Sequence, residues 1–166
     1  MRRVLFVRTD RLGETLLSLP AAAALKAALP QSTLTLLVHP QLVSLMTSFP
    51  WIDDVLEVSS QHGPWWVRAF RVSRSLRSHG FDLAVVANPK KELHLGVWLA
   101  GIPQRVGYDR KWGSLLTHRV PDRKALGDRH EVDYQLDVIR ALGLPAMVPS
   151  WQLPTLETEQ ANAMRV

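Results

Sequence analysis

The feature that most constrains this chain is a regular exchange between two hydrophobic periodicities. Val4-Leu5-Phe6-Val7 is a short continuous apolar block of strand formers, and the polar turn Thr9-Asp10-Arg11-Leu12-Gly13 follows it. From Glu14 the apolar positions shift to helical spacing, with Leu16, Leu17, Leu19, Ala23, Ala24, Ala27 and Ala28 on one segment. Pro20 lies inside that segment and removes a backbone donor, so a kinked or restarted helix is expected. The exchange then repeats. Strands are expected at Thr33 to Val38, Val55 to Val58, Asp82 to Val86 and Arg105 to Tyr108. Helices are expected at Gln41 to Ser48, Trp65 to His79, Glu92 to Ala100 and Asp133 to Leu142, with Gly80, Gly101 and Gly143 at their stops.

Alternation of this kind predicts an α/β fold. Right-handed crossovers place helices on both faces of a parallel, Rossmann-like sheet. The passage from Asp109 to Arg129 is polar and reads as a long connection. Trp151 to Pro154 reads as extended, and Thr158 to Met164 as the start of a short helix. A helix of that length is unstable alone, so the domain is expected to span residues 1–154, with 155–166 opening a linker or second domain.

Several function classes are excluded by what the chain lacks. There is no cysteine among its 166 residues, which removes disulfides, thiolate zinc sites and a cysteine nucleophile. No glycine-rich dinucleotide fingerprint, P-loop triplet, His-Glu-x-x-His or Gly-x-Ser-x-Gly is present, so no resident cofactor or metal is expected. The apolar run behind Met1-Arg2-Arg3 is too short for a signal segment and ends in Arg8. The longest uncharged stretch, Ala27 to Ile52, is divided by Pro30, Pro40 and Pro50, so no membrane span is expected. A net charge of +5, carried mostly by Arg, points to an anionic partner. Nucleic acid is not expected to be that partner, because no recognition helix, aromatic strand motif or zinc knuckle accompanies the charge.

An open parallel sheet binds ligands at the carboxyl ends of its strands. The loops concerned are Thr9 to Gly13, His39-Pro40, Ser59 to Pro64, Asn88 to Lys91 and Tyr108 to Lys111. The first carries Arg8, Thr9, Asp10, Arg11 and Gly13, then Glu14 in the first helical turn, where a carboxylate complements the helix dipole and nearby N–H donors could hold an anion. Lys90 and Lys91 follow the fourth strand, and Arg105, Tyr108 and Arg110, with Arg119 and Arg123 beyond, are further candidates for ligand contacts. His130 reads as a hydrogen-bonding residue with no metal-ligand partner. At about 100° per residue, Trp65, Trp66, Ala69, Phe70, Val72 and Leu76 share one arc of their helix, while Arg68, Arg71 and Arg74 wind round the rest and Arg77 lies at the arc's edge. These arginines form either a solvated helix face or a surface for phosphate groups or an anionic leaflet, to which each could add about 1 kcal/mol.

The segment from Val4 to Ala21, Val-Leu-Phe-Val-Arg-Thr-Asp-Arg-Leu-Gly-Glu-Thr-Leu-Leu-Ser-Leu-Pro-Ala, resembles the opening of the heptosyltransferases, the family 9 glycosyltransferases. Thr33 to Pro40, Trp51 to Leu56, Phe81 to Val86, Leu99 to Asp109 and His130 to Asp133 resemble the same family in order and spacing. The resemblance covers nearly the whole chain but only the first half of the family's length. It implies a GT-B architecture in which this half binds the acceptor and a second Rossmann-like half binds the nucleotide sugar. It further implies inverting transfer of heptose from ADP-heptose to the inner core of lipopolysaccharide. The partners would be a nucleotide sugar held by the other half and a phosphorylated lipopolysaccharide precursor, on a cytoplasmic protein peripheral to the inner membrane. In that family an Asp after the loop glycine is the general base; here the position is Glu14, one methylene longer, with Asp10 the fallback carboxylate. Alone, this half is expected to fold and transfer nothing. A related transferase with another donor, or a non-catalytic module for anionic glycans, stays open at this point.

Overall fold

The computed structural model describes residues 1–58, 62–124, 127 and 129–150. The first half of the Ser59 to Pro64 loop, the extended segment expected from Trp151, the short helix expected from Thr158 and the division expected at residue 154 lie outside the described residues.

Six strands form one parallel sheet in the order β3-β2-β1-β4-β5-β6. They are β1 (Arg3–Arg8), β2 (Thr33–Val38), β3 (Asp54–Glu57), β4 (Leu83–Val86), β5 (Gln104–Tyr108) and β6 (His118–Val120). Among the described residues the α-helices are α1 (Leu12–Ala28), α2 (Val43–Thr47), α3 (Trp65–Arg77), α4 (Lys91–Leu99) and α5 (Glu131–Arg140). Because β1 pairs with β2 on one side and β4 on the other, its C-terminal end lies at the centre of the sheet, between Val38 and Val86.

The apolar blocks feed both faces, as strands buried on two sides require. Val4 and Phe6, with Leu34, Leu36, Leu83 and Val85, pack under α1, α2 and α5. Leu5 and Val7, with Leu37, Ala84 and Val86, pack under α3 and α4. Each large aliphatic or aromatic side chain removed from water this way contributes about 1.5–3 kcal/mol, so the two cores together offset the entropy of ordering the chain. No helix among the described residues is long and apolar enough to cross a membrane.

Two expectations need correction. α1 is not restarted at Pro20; it runs unbroken from Leu12 to Ala28 with the proline inside it. Pro20 has no N–H to give the Leu16 carbonyl. The fully buried run Ala21, Ala22, Ala24 and Leu25, packed on the sheet and on α5, holds the helix together across that missing bond. Secondly, the passage after Asp109 is not wholly a connection. It contains a 3-10 turn at Gly113–Leu115 and the edge strand β6, whose Val106↔His118 to Tyr108↔Val120 register extends the sheet by one strand. Three residues with two polar side chains carry too little periodicity to announce a strand.

Gly96 fixes how closely α3 and α4 approach. A Cβ there would lie 2.7 Å from Val72 Cγ1 and 2.9 Å from Val72 Cβ. Overpacking of this kind costs about 1–3 kcal/mol, against about 1 kcal/mol gained in helix propensity. Gly96→Ala is therefore expected to lower the thermal midpoint by a few degrees, read by circular dichroism; an unchanged or raised midpoint would mean that the α3–α4 crossing can relax.

Candidate functional site

A cleft of about 440 Å³ opens at the carboxyl end of the sheet, lined by Thr9, Asp10, Arg11, Leu12, Glu14, His39, Gln41, Leu42 and Lys90. Its position follows from topology: β1, β2 and β4 all end there, and α1 starts there with its positive dipole end facing the opening.

The floor is built on Arg8, the last residue of β1. Its side chain is buried, and Nη1 donates to the Ala87 carbonyl at 2.7 Å, tying the end of β1 to the end of β4. Arg8 Nε lies 3.5 Å from Asp10 Oδ2, and Lys90 Nζ lies 2.8 Å from Asp10 Oδ1. Asn88, also buried, donates from Nδ2 to Thr9 Oγ1 at 3.2 Å. Burial of Asp10 works against its charge, but the hydrogen bond and charge of Lys90, the charge of Arg8 and a hydrogen bond from Asn88 outweigh it and hold the carboxyl below its usual range. Asp10 is thus a fixed anion clamped between two cations.

Glu14 stands differently. It is exposed in the first turn of α1, and its Oε2 accepts the Arg11 backbone N–H at 3.1 Å, as a carboxylate at the third helical position does in a capping box. No described cation lies within ion-pair distance of it, and Oε1 has no hydrogen-bond partner among the described residues. A carboxylate oxygen facing an open cleft can take a proton from a hydroxyl placed there.

The remaining expected site residues divide. Thr9, Asp10, Arg11, Glu14 and Lys90 come together in the cleft; Arg8 supports it from below, and Gly13, exposed in the first turn of α1, does not line it. Lys91 turns outward, its Nζ 5.4 Å from the centroid of the Trp65 ring. Tyr108 is not available to a ligand. Its side chain enters the core under α5, its hydroxyl donates to the Tyr134 carbonyl, and burial pushes its pKa up. Arg110 is outside the cleft, 3.4 Å from Asp122. Arg105 gives its guanidinium to the carbonyls of Leu115 and Ile102, and Arg119 pairs with Asp109 at 3.6 Å. Arg123 is exposed outside the cleft, and its carbonyl accepts the Tyr134 hydroxyl at 3.2 Å. His130 caps α5, its Nδ1 accepting the Val132 N–H at 3.2 Å, so its role there is local. On α3, Arg68 pairs with Glu92 at 3.1 Å, whereas Arg71, Arg74 and Arg77 are exposed, Arg77 donating to the Leu99 carbonyl.

Sequence reasoning missed His39, Gln41 and Asn88 as site residues. His39 Nδ1 accepts the Gln41 N–H at 3.4 Å, which folds the turn after β2 over the cleft. The signal was present, since His39-Pro40 and Asn88 follow strands whose ends were already expected to line a site.

The clamp has a consequence for stability. Because Asp10 is held below its ordinary value of 3.8, its contribution is complete above that value and is lost as pH falls through its lowered value. Asp10→Asn leaves two cations without their carboxylate and is expected to cost about 1–3 kcal/mol at neutral pH. That penalty should shrink in denaturant unfolding at acid pH; a penalty independent of pH would contradict the clamp.

No family model matches the chain. A Haemophilus influenzae protein named "Putative glycosyltransferase" is 29% identical over 171 aligned residues, covering 100% of this chain and 49% of that protein. The crystal structure of a family 9 glycosyl transferase from Veillonella parvula superposes with a TM-score of 0.83 at 21% identity, over 99% of this chain and 48% of that one. The E. coli ADP-heptose lps heptosyltransferase II gives a TM-score of 0.68 at 22% identity, over 99% of this chain and 50% of that one. The E. coli heptosyltransferase WaaC, solved with ADP-2-deoxy-2-fluoro heptose, gives 0.68 at 20% identity, over 91% and 51%. The chain thus spans about half the length of the proteins it matches. Its six-stranded Rossmann-like domain has the fold found in half of a family 9 glycosyltransferase or heptosyltransferase of the GT-B type.

Proposed function

We propose that this chain is the N-terminal, acceptor-binding half of an inverting glycosyltransferase that moves heptose from ADP-heptose to the phosphorylated inner core of lipopolysaccharide. The observation that carries the reading is the cleft at the head of α1, where Glu14 presents an uncommitted carboxylate oxygen inside a fold shared with a family 9 enzyme. The heptose donor rests on the likeness to the two E. coli heptosyltransferases.

In this account the acceptor hydroxyl enters between Glu14 and the Asp10–Lys90 pair. Glu14 takes its proton as the oxygen attacks the anomeric carbon; the new glycosidic bond forms while the bond to the nucleoside diphosphate breaks, inverting the configuration. Asp10 is a poor base because its charge is stabilised by Lys90 and Arg8. Its role is to position Lys90 at the cleft, where Lys90 and Arg11 attract the acceptor's phosphates. Donor binding falls to a second half, in keeping with the missing glycine fingerprint, so residues 1–166 alone bind acceptor weakly and transfer nothing.

Glu14→Gln in the complete protein is expected to lower turnover by about 10²–10⁴-fold with acceptor affinity little changed, and Glu14→Asp to retain a measurable part of the rate. Full turnover in Glu14→Gln would remove Glu14 as base. Thermal protection of the complete protein by a panel of ADP- and UDP-sugars reports the donor: protection by ADP-sugars is expected, and protection by UDP-sugars alone would shift the reading to another nucleotide sugar.

A further inference from the structure

Among the groups that line the cleft, His39 has a ring oriented by the fold and a second nitrogen that nothing in the protein engages. β1 and β2 run in parallel register as far as Arg8↔Val38, so His39, the next residue after β2, leaves the sheet beside Thr9. Pro40 follows, and a proline holds the residue before it in the extended region; His39 sits there at φ −66° and ψ 141°. Its Nδ1 accepts the Gln41 N–H at 3.4 Å and so caps the Pro40–Leu42 3-10 turn. His130 caps α5 in the same way, with Nδ1 on the Val132 N–H at 3.2 Å, but it stands outside the cleft. A neutral imidazole that accepts at one nitrogen carries its proton on the other. Both histidines therefore carry it on Nε2, and Nε2 of His39 has no hydrogen-bond partner among the described residues.

The other polar groups of the cleft differ from it in charge or in freedom. Arg11 is a cation, Lys90 is a cation held by Asp10, and Glu14 is a carboxylate. Cations attract phosphates from any direction, whereas a neutral N–H at a fixed place discriminates between rings, because an analogue with no oxygen there leaves the donor unpaired. The Thr9 hydroxyl is buried and already accepts the Asn88 amide, and Gln41 is exposed. His39 is half-buried and anchored at Nδ1. From this geometry we infer that His39 is a specificity-determining residue of the cleft, its Nε2–H donating to an oxygen of the acceptor sugar next to the reacting hydroxyl and so setting which ring position faces Glu14. The inference rests on the acceptor-binding reading of the cleft. It adds no proton transfer, since His39 donates a hydrogen bond and keeps its proton. A proton placed on Nδ1 instead would displace the Gln41 N–H, so the capping bond and the donor at Nε2 depend on one another.

The test is NMR of the complete protein, isotope-labelled at its histidine nitrogens and titrated with a phosphorylated inner-core oligosaccharide. Long-range proton–nitrogen correlations are expected to show His39 and His130 both protonated on Nε2 at neutral pH. On titration the Nε2 resonance of His39 should move and that of His130 should stay. Two substitutions separate the two ends of the ring. His39→Asn keeps an acceptor for the cap but falls short of the Nε2 position; it is expected to hold the thermal midpoint and weaken acceptor binding roughly three- to tenfold, the contribution of one neutral hydrogen bond. His39→Gln carries an amide N–H out to where Nε2 stood; it is expected to lower the midpoint by about 1–2 °C and recover most of the affinity. The opposite order, Asn at wild-type affinity and Gln weakened, would reduce His39 to a cap and overturn the inference. So would a free protein with His39 protonated on Nδ1, or a His39 resonance that stays still while the amides of Thr9 to Glu14 shift. If neither those amides nor His39 respond, the acceptor-binding reading falls together with the inference.

Discussion

Everything in this molecule is referenced to β1, a six-residue strand with neighbours on both edges and cores on both faces. Its residues have no alternative environment: a one-residue slip would exchange Val4 and Phe6 with Leu5 and Val7 between two differently shaped cores. That fixed register delivers Arg8, Thr9 and Asp10 to a single place at the centre of the sheet edge. The site inherits its rigidity from this, with α1 starting two residues after Asp10 and bringing Glu14 round to the same opening.

The two carboxylates of the cleft illustrate how environment separates roles. Asp10 lies low, flanked by Arg8 and Lys90, and its charge is locked. Glu14 is exposed at a helix start, bound to one backbone N–H. Burial with two cations yields a structural anion; exposure with a single neutral donor is the environment on which the proposed role of Glu14 rests. The same contrast appears among the arginines. Arg8 and Arg105 spend their donors on carbonyl oxygens inside the fold, while Arg74 on α3 keeps its charge at the surface.

Much of the sheet was legible because its strands are continuous apolar blocks, and β1, β2 and β4 could be read almost to the residue. β6 was not, since a three-residue edge strand with His118 and Arg119 depends on pairing with β5 and leaves little hydrophobic trace. In the cleft, the loop from Thr9 to Glu14 could be placed from the rule that parallel sheets bind ligands at their carboxyl ends. The rule says nothing about which way a side chain points, and so Tyr108, although close to such an end, proved to be a core residue with its hydroxyl on the Tyr134 carbonyl. Trp66 and Phe70 failed for a related reason. A helical wheel marks which residues are apolar but not where the sheet cuts the arc, and here it cut between Ala69 and Phe70.

The central claim is that the cleft between β1, β2 and β4 receives the acceptor. Amide NMR of residues 1–166 titrated with a phosphorylated inner-core oligosaccharide tests it most directly. The account predicts shifts concentrated at Thr9 to Glu14, His39 to Leu42 and Asn88 to Lys90, with α5 unaffected. Shifts scattered over the surface, or confined to residues of β6 and α5 such as Arg119 and Arg140, which line a separate groove, would contradict it.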